Sequence, residues 1–184
     1  MIEMSVEFVR VSMQNYNRVV ILKEKESDRY LLIWIGPSEA ESIAMRLGDV
    51  EPPRPQTHDL LRNVIESLEA HVSYVLVNDL NNDTFYARIV LDANGRSVEL
   101  DSRTSDAIAL AVRAQVPIYA EESVLERAGI KLDHEQDEIV TPAGGPGSTG
   151  EELRPVNPEE LEKMSAFKDF IESLDLDDFE KRKQ

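Results

Sequence analysis

The chain of 184 residues contains no cysteine. That excludes disulfides and thiolate metal centres together, and it suits a reducing compartment. Long apolar runs are missing too. Nothing approaches the roughly 18–20 apolar residues that a membrane-spanning helix needs. The opening residues, Met1-Ile2-Glu3-Met4, lack the basic and then apolar segments of a secretory signal. A cytoplasmic protein with no membrane association is the expectation. Basic residues are in deficit, 20 against 36 acidic ones, for a net charge of -16. Such a chain repels polyanions on average, so any handling of nucleic acid requires a local basic patch or a bound cation. No P-loop, dinucleotide fingerprint, HExxH or nucleophile elbow is present. Of the three histidines, His71 and His134 have no metal-ligand spacing to another histidine.

What the chain does contain is ordinary for a globular protein: 41% apolar and 30% charged residues. Its length allows one domain with a real core plus an appendage. Residues 3–24 read as a hairpin, broken at Asn15-Tyr16-Asn17, and the apolar run Tyr30 to Ile35 reads as a strand buried on both faces. Ser38 is the expected cap of a helix carrying Ala40, Ile43, Ala44 and Leu47, with Glu39 in its first turn. Three prolines stiffen residues 49–56. Thr57 then caps a helix whose apolar stripe is Leu60, Leu61, Val64, Ile65 and Leu68. A three-strand meander follows, with Val72, Tyr74 and Leu76 on one side of its first strand and a hairpin turn at Asn94-Gly95. Asp106 to Ala114 is a helix apolar on almost every side and therefore buried. Pro117 to Tyr119 is a short strand, and Glu121 to Ala128 a surface helix.

The fold class expected from this order is α+β: a mixed, mostly antiparallel sheet with helices packed against it, plus a C-terminal helical tail. Residues 1–140 form the domain. Residues 141–157, rich in Pro, Gly, Ser and Thr, read as a flexible linker. Residues 158–184 form an acidic tail in which Leu161, Met164, Phe167, Phe170, Ile171 and Leu174 share one side of an amphipathic helix. That tail either folds back on the domain or docks on a partner protein.

Two polar stretches precede helices, Arg54-Pro55-Gln56-Thr57-His58-Asp59 and Asp101-Ser102-Arg103-Thr104-Ser105-Asp106. In the first, His58 and Asp59 sit on a first helical turn, where free N–H groups and the dipole favour an anion such as phosphate. There a neutral, base-competent imidazole is favoured, and Arg54 can grip a phosphate oxygen. In the second, Arg103 is flanked by two carboxylates. Each stretch alone is also what a well-capped helix looks like, with Arg103 paired to Asp101 or Asp106. Together they suggest two opposed helix starts enclosing a cleft. A hard cation held by Asp59, Asp101 and Asp106 would reconcile acidity with a polyanionic substrate. Arg113, a lone charge on a buried helix, reads first as the partner of a buried carboxylate.

These residues carry a resemblance. Ile35-Gly36 with Glu39-Ala40, Arg54 to Leu60, Phe85-Tyr86-Ala87, Asp101 to Ala111 with Arg113, and Pro117-Ile118 follow the order and spacing of the bifunctional nuclease domain family. The resemblance spans roughly residues 3 to 130. The family pattern has proline between the arginine and the serine of the second motif, where this chain has Thr104. The resemblance implies an α+β domain, a homo-oligomer with the dimer foremost, and hydrolysis of both RNA and DNA with low sequence specificity. On that reading His58, Asp59, Arg103 and Asp106 are the catalytic candidates. Arg54, Thr57 and Ser105 are the substrate-binding candidates, and a divalent cation such as Mg²⁺ or Mn²⁺ is a candidate cofactor. The alternative is a non-catalytic protein-interaction or small-anion-binding module, which the acidity favours.

Overall fold

A computed structural model describes residues 1–11, 18–132 and 139–140. The expected break at Asn15-Tyr16-Asn17, His134, the linker and the tail helix lie outside these residues. The architecture is α+β, a mixed sheet with helices packed against it. Strands β1 (Ile2–Val11), β2 (Arg18–Glu24) and β3 (Arg29–Ile35) lead into helices α1 (Pro37–Leu47) and α2 (Thr57–Ser67). The meander β4 (Ala70–Asn81), β5 (Thr84–Ala93) and β6 (Arg96–Arg103) precedes helix α3 (Thr104–Ala114). Strand β7 (Ile118–Ala120), helix α4 (Glu122–Ala128), and strands β8 (Ile130–Leu132) and β9 (Ile139–Val140) complete it. The sheet order is β6-β5-β4-β7-β1-β2-β3-β8-β9. Every described pairing is antiparallel except β4 with β7, which is parallel.

A large core holds the domain together, and a smaller cluster of Val19, Ile21, Tyr30 and Ile130 lies apart from it. The large core gathers Val20, Leu22 and Leu31 from the sheet's first half, Val75, Val77 and Ile89 from its second, and residues of all four helices. Helix α3 is the hub. It packs against α1, α2, β4 and β5, and Ala107 through Ala111 are buried, their small side chains letting the neighbouring elements approach. The starts of α1, α2 and α3 are thereby brought to one side of the molecule.

Several local expectations need correction. α1 begins at N-cap Gly36 rather than Ser38, because Pro37 already has the backbone angle of a first helical position. α2 is capped by Gln56, not Thr57. Asp59, three residues on, accepts the Gln56 N–H at 2.9 Å and closes a reciprocal cap. In β3, Trp34 is exposed, so that strand is not covered on both faces along its length. A bulge between Val72 and Tyr74 moves Val72 to the core side with Val75 and Val77, leaving Tyr74 on the other face edge-on to Tyr119.

The largest correction concerns α2. Of its expected apolar stripe only Ile65 is buried, while Leu60, Leu61, Val64 and Leu68 face solvent. The cause is electrostatic. Arg113 is enclosed in α3, and α2 is rotated so that Asp59 reaches it. A buried guanidinium without a carboxylate would be costlier than several exposed leucines.

Candidate active site

Three helix starts converge on a cleft of about 430 Å³. α1 contributes Ser38, Glu39, Glu41 and Ser42. The start of α2 contributes Gln56, Thr57 and His58, and the start of α3 contributes Arg103 and Asp106. The first turns of all three helices line this cleft, and its ionisable side chains are Glu39, Glu41 and Asp106 beside His58 and Arg103.

His58 is at its centre, buried with 8% exposure, and both ring nitrogens are engaged. Nδ1 lies 3.0 Å from Ser42 Oγ and Nε2 lies 3.0 Å from Asp106 Oδ1. A carboxylate can only accept, so Nε2 carries the proton in this contact. In the neutral ring Nδ1 is then the acceptor, and the Ser42 hydroxyl donates to it. Asp106 in turn accepts from Arg103 at both oxygens, Nε to Oδ2 at 2.6 Å and Nη2 to Oδ1 at 3.1 Å. Arg103 Nη2 also donates to Glu39 Oε1 at 2.8 Å. The chain Ser42–His58–Asp106–Arg103–Glu39 thus ties the three helix starts together.

Its electrostatics favour ionised carboxylates. Burial works against the charge on Asp106, but hydrogen bonds from Arg103 and His58 outweigh it and hold the group below the usual carboxylate range. Arg103 is the open end of the chain. Its side chain is 68% exposed, and Nη1 makes no hydrogen bond among the described residues.

The candidate residues divide cleanly. His58, Arg103, Asp106 and Thr57 line this cleft. Asp59 is turned elsewhere: Oδ1 accepts from Arg113 Nε at 2.7 Å and Oδ2 from the Gln56 N–H. Arg113 completes its shell on Ala109 O, Ser42 O and Gln56 Oε1. Its reading as the partner of a carboxylate matches the contacts it makes, though Asp59 is half-buried rather than buried. Arg54 lines a neighbouring depression. Ser105 is buried in the first turn of α3, and Asp101 is exposed on β6 opposite Arg88.

Among the described residues no group of three or more histidine or carboxylate side chains is placed to hold a metal ion. Asp59, Asp101 and Asp106 sit apart, and Asp59 and Asp106 are each neutralised by an arginine, so this donor set does not fit a hard cation.

Sequence reasoning missed Ser42 and gave Glu39 only a capping role. The available signal was their spacing. Glu39 and Ser42 stand three apart, on one helix face, beside the apolar positions of α1.

The sequence model of the bifunctional nuclease domain matches residues 20–133. An uncharacterized protein of Mycobacterium tuberculosis is 42% identical over 177 residues, covering 96% of this chain and 97% of its own. Bifunctional nuclease 1 of Oryza sativa subsp. indica is 26% identical over 120 residues, 64% of this chain and 36% of the plant protein. Bifunctional nuclease 1 of Arabidopsis thaliana is 27% identical over 135 residues, 71% of this chain and 41% of the plant protein. The chain therefore spans well under half the length of these plant relatives.

Proposed function

The chain belongs to the bifunctional nuclease domain family, and from that premise we propose that it hydrolyses phosphodiester bonds of RNA and DNA with low sequence specificity, in the cytoplasm. The observation that carries the reading is the His58–Asp106–Arg103 chain opening on a cleft at three helix starts. Arg103 grips a phosphoryl oxygen through Nη1 and neutralises charge that builds in the transition state. Asp106 orients His58 and keeps its Nε2–H at the cleft, and Ser42 holds the far side of the ring. Water attacks phosphorus and the bond to the leaving oxygen breaks. The imidazolium form of His58 hands its Nε2 proton to that oxygen and becomes the neutral ring, and the proton released by water passes to solvent, from which the ring is recharged. Asp59 acts through packing: it neutralises Arg113 and fixes the α2 start from which His58 projects.

The test is hydrolysis of single-stranded RNA and DNA by the purified protein, with and without Mg²⁺ or Mn²⁺, beside His58→Ala. Loss of about 10²–10³ in rate is the supporting result. Undiminished activity in the variant would mean a contaminating nuclease. One observation favours the non-catalytic module: both His58 nitrogens already have partners. A wild type inert on both polymers under every cation condition would select that reading.

The same reading includes self-association as a dimer. Leu60, Val64 and Leu68, at i, i+4 and i+8, are 59%, 46% and 72% exposed. Such a stripe suits a second copy of the same helix across a twofold axis. Val64→Glu with Leu68→Glu should yield a monomer by light scattering; an unchanged mass would remove this face from the interface.

A further inference from the structure

The depression that holds Arg54 is distinct from the His58 cleft and has a volume of about 400 Å³. The last turn of α1, the proline-bearing loop 49–56 and the first turns of α2 enclose it. Its ionised lining is Arg46, Arg54, Arg62 and Arg113 against Glu51 and Asp59. In a chain of net charge -16 this is a local reversal of sign. Asp59 is consumed by Arg113 at 2.7 Å. Among the described residues the carboxylate that Arg46 meets is Asp49, at 3.8 Å, and it is almost wholly exposed. Arg62 makes long contacts, Nη1 to Arg113 O at 3.4 Å, Nη2 to Asn63 Oδ1 at 3.5 Å and Nε to the Glu66 carboxylate at 3.6 Å, and its buried Nε has no hydrogen-bond partner. Arg54 is exposed and has no hydrogen bond or ion pair among the described residues.

Arg54 is unpaired among the described residues, and Arg46 and Arg62 have loose contacts to exposed carboxylates of neighbouring turns; guanidinium groups so placed around a concave site favour an anion, because their planar forks match phosphate oxygens. The walls are preformed. Pro52, Pro53 and Pro55 fix the backbone of the rim, so little ordering is needed on binding. Gln56 lines both depressions and is the ridge between them. We propose that the Arg54–Arg62 pocket is a second phosphate subsite. On this proposal a single-stranded polynucleotide whose scissile phosphate lies at Arg103 crosses Gln56 and places a neighbouring phosphate here. The proposal rests on the phosphodiesterase reading and adds to it the requirement for a substrate with more than one phosphate. It also answers the charge problem: polymer affinity comes from this patch rather than from the surface as a whole.

The experiment uses the full chain and two probes. A fluorescein-labelled single strand of about 12 nucleotides is titrated by anisotropy across a salt series. Bis(4-nitrophenyl) phosphate, which has one phosphate, reports turnover in the His58 cleft alone. Arg54→Ala with Arg62→Ala should weaken strand binding about 10- to 100-fold at low salt and flatten the salt slope by about one to two. Turnover of the small ester should fall by clearly less than strand binding does, since the ester reaches no second subsite. Arg54→Glu, at an exposed position, should weaken binding further without unfolding the domain. Unchanged affinity and slope in all three proteins overturns the subsite. Equal losses on strand and ester also overturn it, because the arginines would then act on the first site. If the wild type turns over neither probe yet loses strand binding in the arginine variants, the subsite stands and the hydrolytic reading falls.

Discussion

His58 Nε2 and Asp106 Oδ1 meet at 3.0 Å across 48 residues of chain, each from the first turn of its own helix. Asp106 Oδ1 also accepts from Arg103, so the carboxylate sets the position of both a proton donor and a cation. Asp106→Asn keeps the shape but can present an amide N–H to Nε2, which would force the other tautomer. The expected result is a fall of about 10²-fold in kcat with a smaller change in KM. The acid limb that the depressed titration of Asp106 gives the pH–rate profile should disappear with the carboxylate. A KM effect alone would make Asp106 a binding group.

Asp59 is predicted to matter for stability rather than for the chemical step. Arg113 is enclosed, with a side chain only 3% exposed, and among the described residues Asp59 is the carboxylate it pairs with. Asp59→Ala leaves that charge unpaired and should cost about 3–5 kcal/mol in denaturant unfolding. Replacing both, Asp59→Leu with Arg113→Met, should recover most of the loss. A stable Asp59→Ala protein with no activity would instead return Asp59 to the catalytic set.

The same pair gives a pH dependence. Burial opposes ionisation of Asp59, but the Gln56 N–H and the Arg113 guanidinium overcome it and depress its titration. Asp106 is depressed as well. Unfolded carboxylates titrate near about pH 4, so the unfolded chain binds more protons in the acid range. The stabilisation is therefore complete above about pH 4 and is lost as pH falls through the lower folded values. Thermal unfolding between roughly pH 2 and 6 should show a steep decline that Asp59→Asn flattens.

Thr104 stands at the first helical position of α3, and its hydroxyl is buried without a hydrogen-bond partner. Proline belongs at that position of a helix, where no backbone N–H is needed. Thr104→Pro removes an unsatisfied hydroxyl and restricts the unfolded chain. It should stabilise the domain by about 0.5–1 kcal/mol, read from denaturant unfolding, with activity retained.

What was legible in the sequence was local. Asn94 and Gly95 adopt φ of 55° and 77°, as their hairpin turn demands. The polar stretches before α2 and α3 announced helix starts because capping chemistry is confined to one turn. What was not legible depends on distant partners. The orientation of α2 is set by Asp59 reaching Arg113, 54 residues away, so an apolar stripe that reads as core is left outside. The parallel pairing of β4 with β7 likewise has no local signature. Glu39 looked like a first-turn carboxylate because its partner, Arg103, lies 64 residues on.

Gly36 provides a way to move Glu39 without touching the cleft. Its backbone is at φ −70°, ψ 160°, which any residue adopts, so conformational freedom is not why glycine stands there. The reason is space. A Cβ at this position would overlap Glu39 Oε2, the end of a flexible side chain folded back over the helix start. Gly36→Ala should therefore leave the fold within about 1 kcal/mol of wild type, because the side chain can swing aside. The cost falls on Arg103, which loses its 2.8 Å contact to Glu39 Oε1 and keeps only Asp106. A freer guanidinium is a poorer phosphate clamp, and about a tenfold loss in kcat/KM is expected, equivalent to roughly 1.4 kcal/mol. Glu39→Ala should reproduce that loss, and the double variant should be no worse than Glu39→Ala alone. Additive losses would mean that Gly36 acts on the site by some route other than Glu39.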